Sequence, residues 1–253
     1  MNIVVTLAGH SKRFFKEGYI KPKYLLPLGN STVIENILSQ FNDRDIYHLI
    51  FSKSQASKYK KNIVGLKKIK KNIFFYIIDD HKLGPIHSVL KANIKNLKGG
   101  FIVTYNDFLV NWDYEKFKRF VFGYDGAIVS FSNFQPSSYT GTLYCYLKVK
   151  NNEIISLREK KSYTNQPEKE IVSTGIYYFN DYEEFKYYAE KVTKNKKNLI
   201  KNETYISQVF VPMLKEKKKI LDFRCTNFIS LGTPKDYELF LFWKKYFQHN
   251  EII

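Results

Sequence analysis

Cysteine, arginine, proline and glycine are all scarce in this chain of 253 residues, which holds two Cys, five Arg, seven Pro and twelve Gly. Cys145 and Cys225 stand 80 positions apart, with no CxxC spacing and no histidine beside either. That argues against a disulfide framework or a thiolate metal site, and for two reduced, buried thiols. No apolar run approaches the roughly 18 residues a membrane span needs. The apolar run at 3–8 is too short for a signal-peptide core and has no basic stretch before it. A cytoplasmic protein without membrane contact is therefore expected.

Acid is scarce too, with 24 Asp and Glu against 41 Lys and Arg, for a formal net charge of +17. Nearly all of the excess is Lys. Readers of base sequence use the planar Arg fork for bidentate contacts, so a nucleic-acid partner is not expected. A Lys-rich solvated surface fits better, and its field attracts a polyanionic small substrate. The aromatic content of 17% serves a core and leaves material for a homo-oligomer interface.

What is present reads as an α/β protein. Short apolar runs at 2–7, 47–51, 73–78, 101–105 and 126–131 read as strands, with helical patterns at 31–41, 54–62, 85–96 and 113–121 between them. Thr32 and Glu35 have capping-box spacing at the start of the first of these helices. The rhythm then changes. Residues 142–149 and 153–158 flank Asn151 and Asn152 as a hairpin, and a strand at 172–179, a helix at 203–215 and a helix from Pro234 follow. The expectation is one three-layer, Rossmann-like domain over 1–253, with a mostly parallel central sheet and a β-rich insertion in the second half.

In an open α/β sheet, ligands bind beyond the carboxyl ends of the strands. The first strand runs into Leu7, Ala8, Gly9, His10, Ser11, Lys12 and Arg13. Gly9 permits a close backbone approach, exposed amides and Ser11 can donate to phosphate oxygens, and Arg13 offers a planar fork to a triphosphate. Ten residues on, Pro22 stiffens a loop carrying Lys23. Neither a GxxxxGK[ST] loop nor a GxGxxG fingerprint is present. The whole string reads as a phosphate site, although a turn with two solvated cations accounts for any one part of it.

LAGHSKRF followed by KPKYLLPLGN resembles the sugar-phosphate nucleotidylyltransferases, whose first loop reads approximately LAGxGxRF with a PK motif after it. Ser11 stands where that family has its second glycine. The resemblance implies a GT-A-like fold, with nucleotide binding by Leu7, Ala8, Gly9, His10, Ser11 and Lys12 and catalysis by Arg13 and Lys23. It continues in order along the chain. Gly84 lies in a segment like the family's GTAxAV, which approaches the nucleobase. Asn106 and Asp107 look like its GD segment, with Asn106 beside the nucleotide and Asp107 as the Mg²⁺ ligand. Glu159 and Lys160 resemble the EK pair that orients the acceptor and grips its phosphate, and Gly175 leaves room for the acceptor. The segment 231–236 resembles the terminal GTPxD signature.

Two positions before that signature's glycine many members carry a second metal-binding aspartate, where this chain has Ser230. Either Asp107, triphosphate and water hold Mg²⁺, or Asp222 or another acid substitutes. Residues 1–130 are then mainly nucleotide-binding and 131–253 mainly acceptor-binding, with the hydroxyls of Ser137, Ser138, Tyr139 and Thr140 bordering the acceptor. The match looks closest to a capsule-locus branch, which implies CTP as donor and L-glutamine phosphate as acceptor, giving CDP-glutamine. An ordinary sugar phosphate is the other acceptor. A GT-A glycosyltransferase would need a DxD-type motif, and a non-catalytic binding module would bind nucleotide without turnover.

Overall fold

The computed structural model describes residues 1–95, 97–132 and 135–249, except for the side chains of Ser137, Thr140 and His249. The strands are β1 (Asn2–Thr6), β2 (Pro27–Leu28), β3 (Ser31–Thr32), β4 (Ile46–Ser52), β5 (Ile73–Ile78), β6 (Phe101–Thr104), β7 (Phe108–Asn111), β8 (Gly126–Phe131), β9 (Cys145–Lys150), β10 (Glu153–Glu159), β11 (Ile171–Phe179), β12 (Ile220–Arg224) and β13 (Asn227–Ser230). The helices are α1 (Lys12–Lys16), α2 (Val33–Ser39), α3 (Lys53–Lys58), α4 (Lys60–Gly65), α5 (Pro85–Ala92), α6 (Tyr114–Phe120), α7 (Tyr182–Lys194), α8 (Phe210–Lys215) and α9 (Pro234–His249). Among the described residues, nine strands form one mixed sheet in the order β5-β4-β1-β6-β11-β8-β12-β10-β9. The pairings from β5 through β6 are parallel, β11 is antiparallel to both its neighbours, and β8 and β12 are parallel again. The β-rich second half thus extends the same sheet.

Strand periodicity sorts β1 between two cores. Ile3 and Val5 face one apolar cluster with α2 and α6, while Val4 faces the other with α5, α7 and α8. All three are fully buried, which is why β1 reads as continuous Val and Ile rather than as an alternation. Phe101 fills the second core, with its ring against Phe179, Tyr182 and Phe185. Phe101→Ala is expected to lower the unfolding free energy by about 3–5 kcal/mol. Urea denaturation showing a loss below about 1 kcal/mol would mean that this core is not packed as described.

Several elements follow the sequence closely. Thr32 and Glu35 form the reciprocal capping box, with Thr32 N–H donating to Glu35 Oε2 at 2.6 Å. Asn151 and Asn152 both have positive φ, as a tight hairpin turn requires. Others differ. The 54–62 helix breaks at Tyr59 into α3 and α4, and the 85–96 helix ends at Asn93 in the left-handed region. The 142–149 strand begins only at Cys145. Residues 203–205 stay extended before a 3-10 turn at Ile206–Val209 and α8, instead of one helix from 203. No element was expected at 182–194, where α7 forms with Asp181 accepting from Glu184 N–H at 2.7 Å as its cap. Both thiols are unpaired and buried. No helix among the described residues is long and apolar enough to cross a membrane.

Candidate active site

The loop after β1 is held by contacts from three directions. Leu7 N–H donates to Ile50 O at 2.9 Å, Gln55 Nε2 donates to Gly9 O at 2.7 Å, and His10 Nε2 lies 2.8 Å from His81 O. Ser11 stands in the left-handed region at φ 48, which explains why glycine is usual at this position. Its hydroxyl accepts from Lys23 N–H at 3.1 Å and ties the second basic loop to the first. These bonds place the expected nucleotide set unevenly around the cavities. Leu7 is a core residue whose amide is already used, and Ser11 and Lys12 do not line the cavities described below.

β6 delivers Asn106 and Asp107 to the same edge. Asn106 Nδ2 donates to Thr6 O at 2.5 Å, and Leu231 N–H donates to Asp107 O at 2.7 Å. Lys23 Nζ reaches Asp107 Oδ2 at 2.8 Å, with both side chains about three-quarters buried. Two cavities meet at Asp107. The smaller, of about 200 Å³, is lined by Ala8, Gly9, His10, Lys23, Gly84 and Asn106. The larger, of about 570 Å³, is lined by Arg13, Glu159, Lys160, Gly175 and Asp236, and the two share Tyr105, Asp107, Glu203 and Tyr205. The lysines at 23 and 160 therefore face different cavities, and Arg13 belongs with Lys160.

Two glycines line these cavities and are also required by close packing behind them. A Cβ on Gly84, at φ 93, would lie 2.4 Å from Thr204 O, so the backbone of Thr204 packs directly on this glycine at the wall of the smaller cavity. A Cβ on Gly175, at φ 106, would lie 2.7 Å from Phe108 Cε1, so the ring of Phe108 packs directly on this glycine at the wall of the larger cavity. Of the hydroxyl-rich segment, Ser138 is buried and Tyr139 exposed, and neither lines the larger cavity. Thr142, Leu143 and Tyr144 border it instead, and the side chains of Ser137 and Thr140 lie outside the described residues.

Glu159 is half-buried at the wall of the larger cavity. Ser207 Oγ donates to its carboxylate at 2.5 Å, and burial pushes its pKa up. Burial also pulls the Lys160 ammonium down, and Lys160 has the left-handed φ of 53. A carboxyl whose folded pKa is raised contributes stability at low pH that is lost as pH rises through that value. Glu159→Gln is therefore expected to gain stability relative to the parent as pH climbs from 5 to 8. Urea titrations giving the same difference at both ends would contradict it.

Asp222 cannot supply the second metal-binding acid. It is buried in β12, where it accepts from Ser130 Oγ and from Arg224 Nη2 at 3.0 Å, away from both cavities. Asp236 is the acid beside Ser230: Ser230 Oγ donates to Asp236 Oδ2 at 3.2 Å and Thr233 Oγ1 at 2.8 Å.

The chain matches the family model described as "Nucleotidyl transferase" over residues 4–242. It belongs to that family. A curated relative of this nucleotidyl transferase is the bifunctional protein GlmU of Methanococcus maripaludis, 26% identical over 186 residues. The match covers 70% of the chain and spans only 39% of that relative's length. Among solved structures, the nucleoside-diphosphate-sugar pyrophosphorylase from Vibrio cholerae RC9 superposes with TM-score 0.74 at 20% identity, covering 95% of this chain and 99% of the other. The inositol-1-phosphate CTP transferase from T. maritima gives TM-score 0.65 at 12% identity, covering 93% and 90%. At these identities the structures establish the shared α/β fold.

Among the described residues no three His, Cys, Asp or Glu side chains stand together as a metal cage. Mg²⁺, however, is commonly held by one or two carboxylates with substrate phosphates and water. The donor set suits that arrangement. A Cβ on Gly232 would make ordinary contact with Asp107 Oδ2 at 3.5 Å and Ser230 Oγ at 3.6 Å, so two hard oxygens converge on one point beside this glycine. Sequence reasoning missed Glu203 and Tyr205, which sit where the cavities join. Their one sequence signal is a Tyr-bearing stretch just before an apolar helix.

Proposed function

We propose that this nucleotidyl transferase moves a nucleoside monophosphate from a triphosphate to a phosphorylated small acceptor and releases pyrophosphate. The observation that carries this reading is Asp107 at the junction of two cavities, with Lys23 on one side and Arg13 and Lys160 on the other. The triphosphate enters over the first loop, where Ala8, Gly9, His10 and Asn106 line its cavity. The acceptor occupies the larger cavity beside Glu159 and Lys160. An acceptor phosphate oxygen attacks the α-phosphorus in line. That nucleophile is already anionic near neutral pH, so positioning and charge stabilisation do the catalysis.

Lys23 exchanges its bond to Asp107 for the oxygens of the pentavalent centre, Lys160 holds the incoming phosphate, and the β- and γ-phosphates extend past Asp107 to Arg13 at the mouth of the larger cavity. Asp107, with Ser230 alongside, would hold Mg²⁺, and the ion's charge would neutralise the triphosphate. We assign CTP as the donor and L-glutamine phosphate as the acceptor, from the resemblance of the motifs to a capsule-locus branch. The T. maritima CTP transferase is a structural neighbour that uses the same donor by name. The test is product identity. CTP, Mg²⁺ and L-glutamine phosphate should give CDP-glutamine by mass spectrometry, whereas turnover only with a sugar 1-phosphate would replace this acceptor with a sugar. Sugar transfer from a nucleotide sugar without pyrophosphate would refute the reaction class.

A further inference from the structure

We propose that Tyr205 is a positioning residue for Lys160, with Glu203 behind it, and that this pair fixes the ammonium that receives the acceptor's phosphate. The inference rests on the acceptor role given to Lys160 above. Lys160 Nζ donates to Tyr205 Oη and lies 3.9 Å from the centroid of the Tyr205 ring. Tyr205 in turn donates its hydroxyl hydrogen to Glu203 Oε2 at 2.7 Å. With that hydrogen committed to the carboxylate, the phenol oxygen turns a lone pair to the ammonium, so donor and acceptor roles are fixed along the chain of three groups. A lysine has a long, flexible stem, and holding one of its three N–H groups steadies the ammonium at the cavity wall and leaves two donors for a phosphate.

The platform under Tyr205 is rigid. Thr204 N–H donates to Leu83 O at 3.0 Å, Tyr205 N–H donates to Gln208 Oε1 at 2.7 Å, and Ile206 N–H donates to Tyr105 Oη at 3.1 Å. The close seat of Thr204 on Gly84 needs the missing Cβ there. Glu203 and Tyr205 line both cavities, so one short segment is braced on the nucleotide-side loop and on the acceptor-side lysine. A group anchored on both sides is placed to keep the two substrates in register.

The test uses Tyr205→Phe, which keeps the ring over Lys160 and removes only the hydroxyl. The acceptor KM is expected to rise about tenfold, with the KM for the triphosphate within twofold of the parent. Glu203→Gln is expected to raise the acceptor KM less, and to have no further effect in the Tyr205→Phe background, because it acts through the phenol. Independently of turnover, inorganic phosphate is titrated against protein carrying ¹³C-labelled lysine, with the Lys160 signal followed by NMR. Saturable binding should weaken severalfold in Tyr205→Phe. An unchanged acceptor KM and phosphate affinity in a variant that melts like the parent would overturn the proposal. So would additive effects of the two changes. A parent protein whose Lys160 signal ignores phosphate also overturns it, while pyrophosphate formation by that same protein would leave the transfer reaction standing.

Discussion

Lys23→Ala is expected to lower kcat by on the order of 10²–10³-fold while leaving the fold intact, because Lys23 serves charge that develops only in the transition state. The side chain is about three-quarters buried at the junction of the cavities and its partner is Asp107, not a surface acid. The backbone of Lys23 is separately held by Ser11, so truncating the side chain leaves that anchor in place. Loss of kcat with little change in either KM is the signature of an interaction made in the transition state. Steady-state kinetics on both substrates, with a melting curve beside them, would decide it. Near-parental turnover would remove Lys23 from the mechanism.

Asp107→Asn carries the second large effect, a loss on the order of 10²–10³-fold in kcat/KM with a higher Mg²⁺ requirement. The change preserves shape and the backbone bond from Leu231 but removes the negative charge. A neutral amide is a poorer ligand for a hard dication, and Lys23 loses its counter-ion in the same step. The readouts are Mg²⁺ titrations of rate and, without turnover, Mn²⁺ binding in the presence of a non-hydrolysable triphosphate. An unchanged metal dependence would move the site away from Asp107, with Asp236, bonded to Ser230, as the next acid to replace.

What could be read before any coordinates follows from range. The first loop is one unbroken string, and the capping box at Thr32 spans four residues, so both announce themselves locally. Asp107 stands out for the same reason, as an acid three residues past the end of an apolar strand. The close packing behind Gly84 and Gly175 is not legible in this way. A sequence shows where a Cβ is absent, but not that Thr204 or Phe108 occupies the space. Tyr205 was invisible because its value comes from Lys160, which is 45 residues away in the chain. Asp222 illustrates the converse: in the sequence it is one of two open alternatives, and only the bonds from Ser130 and Arg224 show that it is already used.

The central claim is that the α-phosphoryl group and its nucleoside move to the acceptor. The most direct measurement runs parallel reactions with α-³²P- and γ-³²P-labelled CTP, Mg²⁺ and a panel of phosphorylated acceptors that includes L-glutamine phosphate and sugar 1-phosphates. The account predicts that α-label enters the product with one acceptor while γ-label appears only in pyrophosphate. Transfer of γ-label to an acceptor, or tight nucleotide binding with neither label moving, would contradict it.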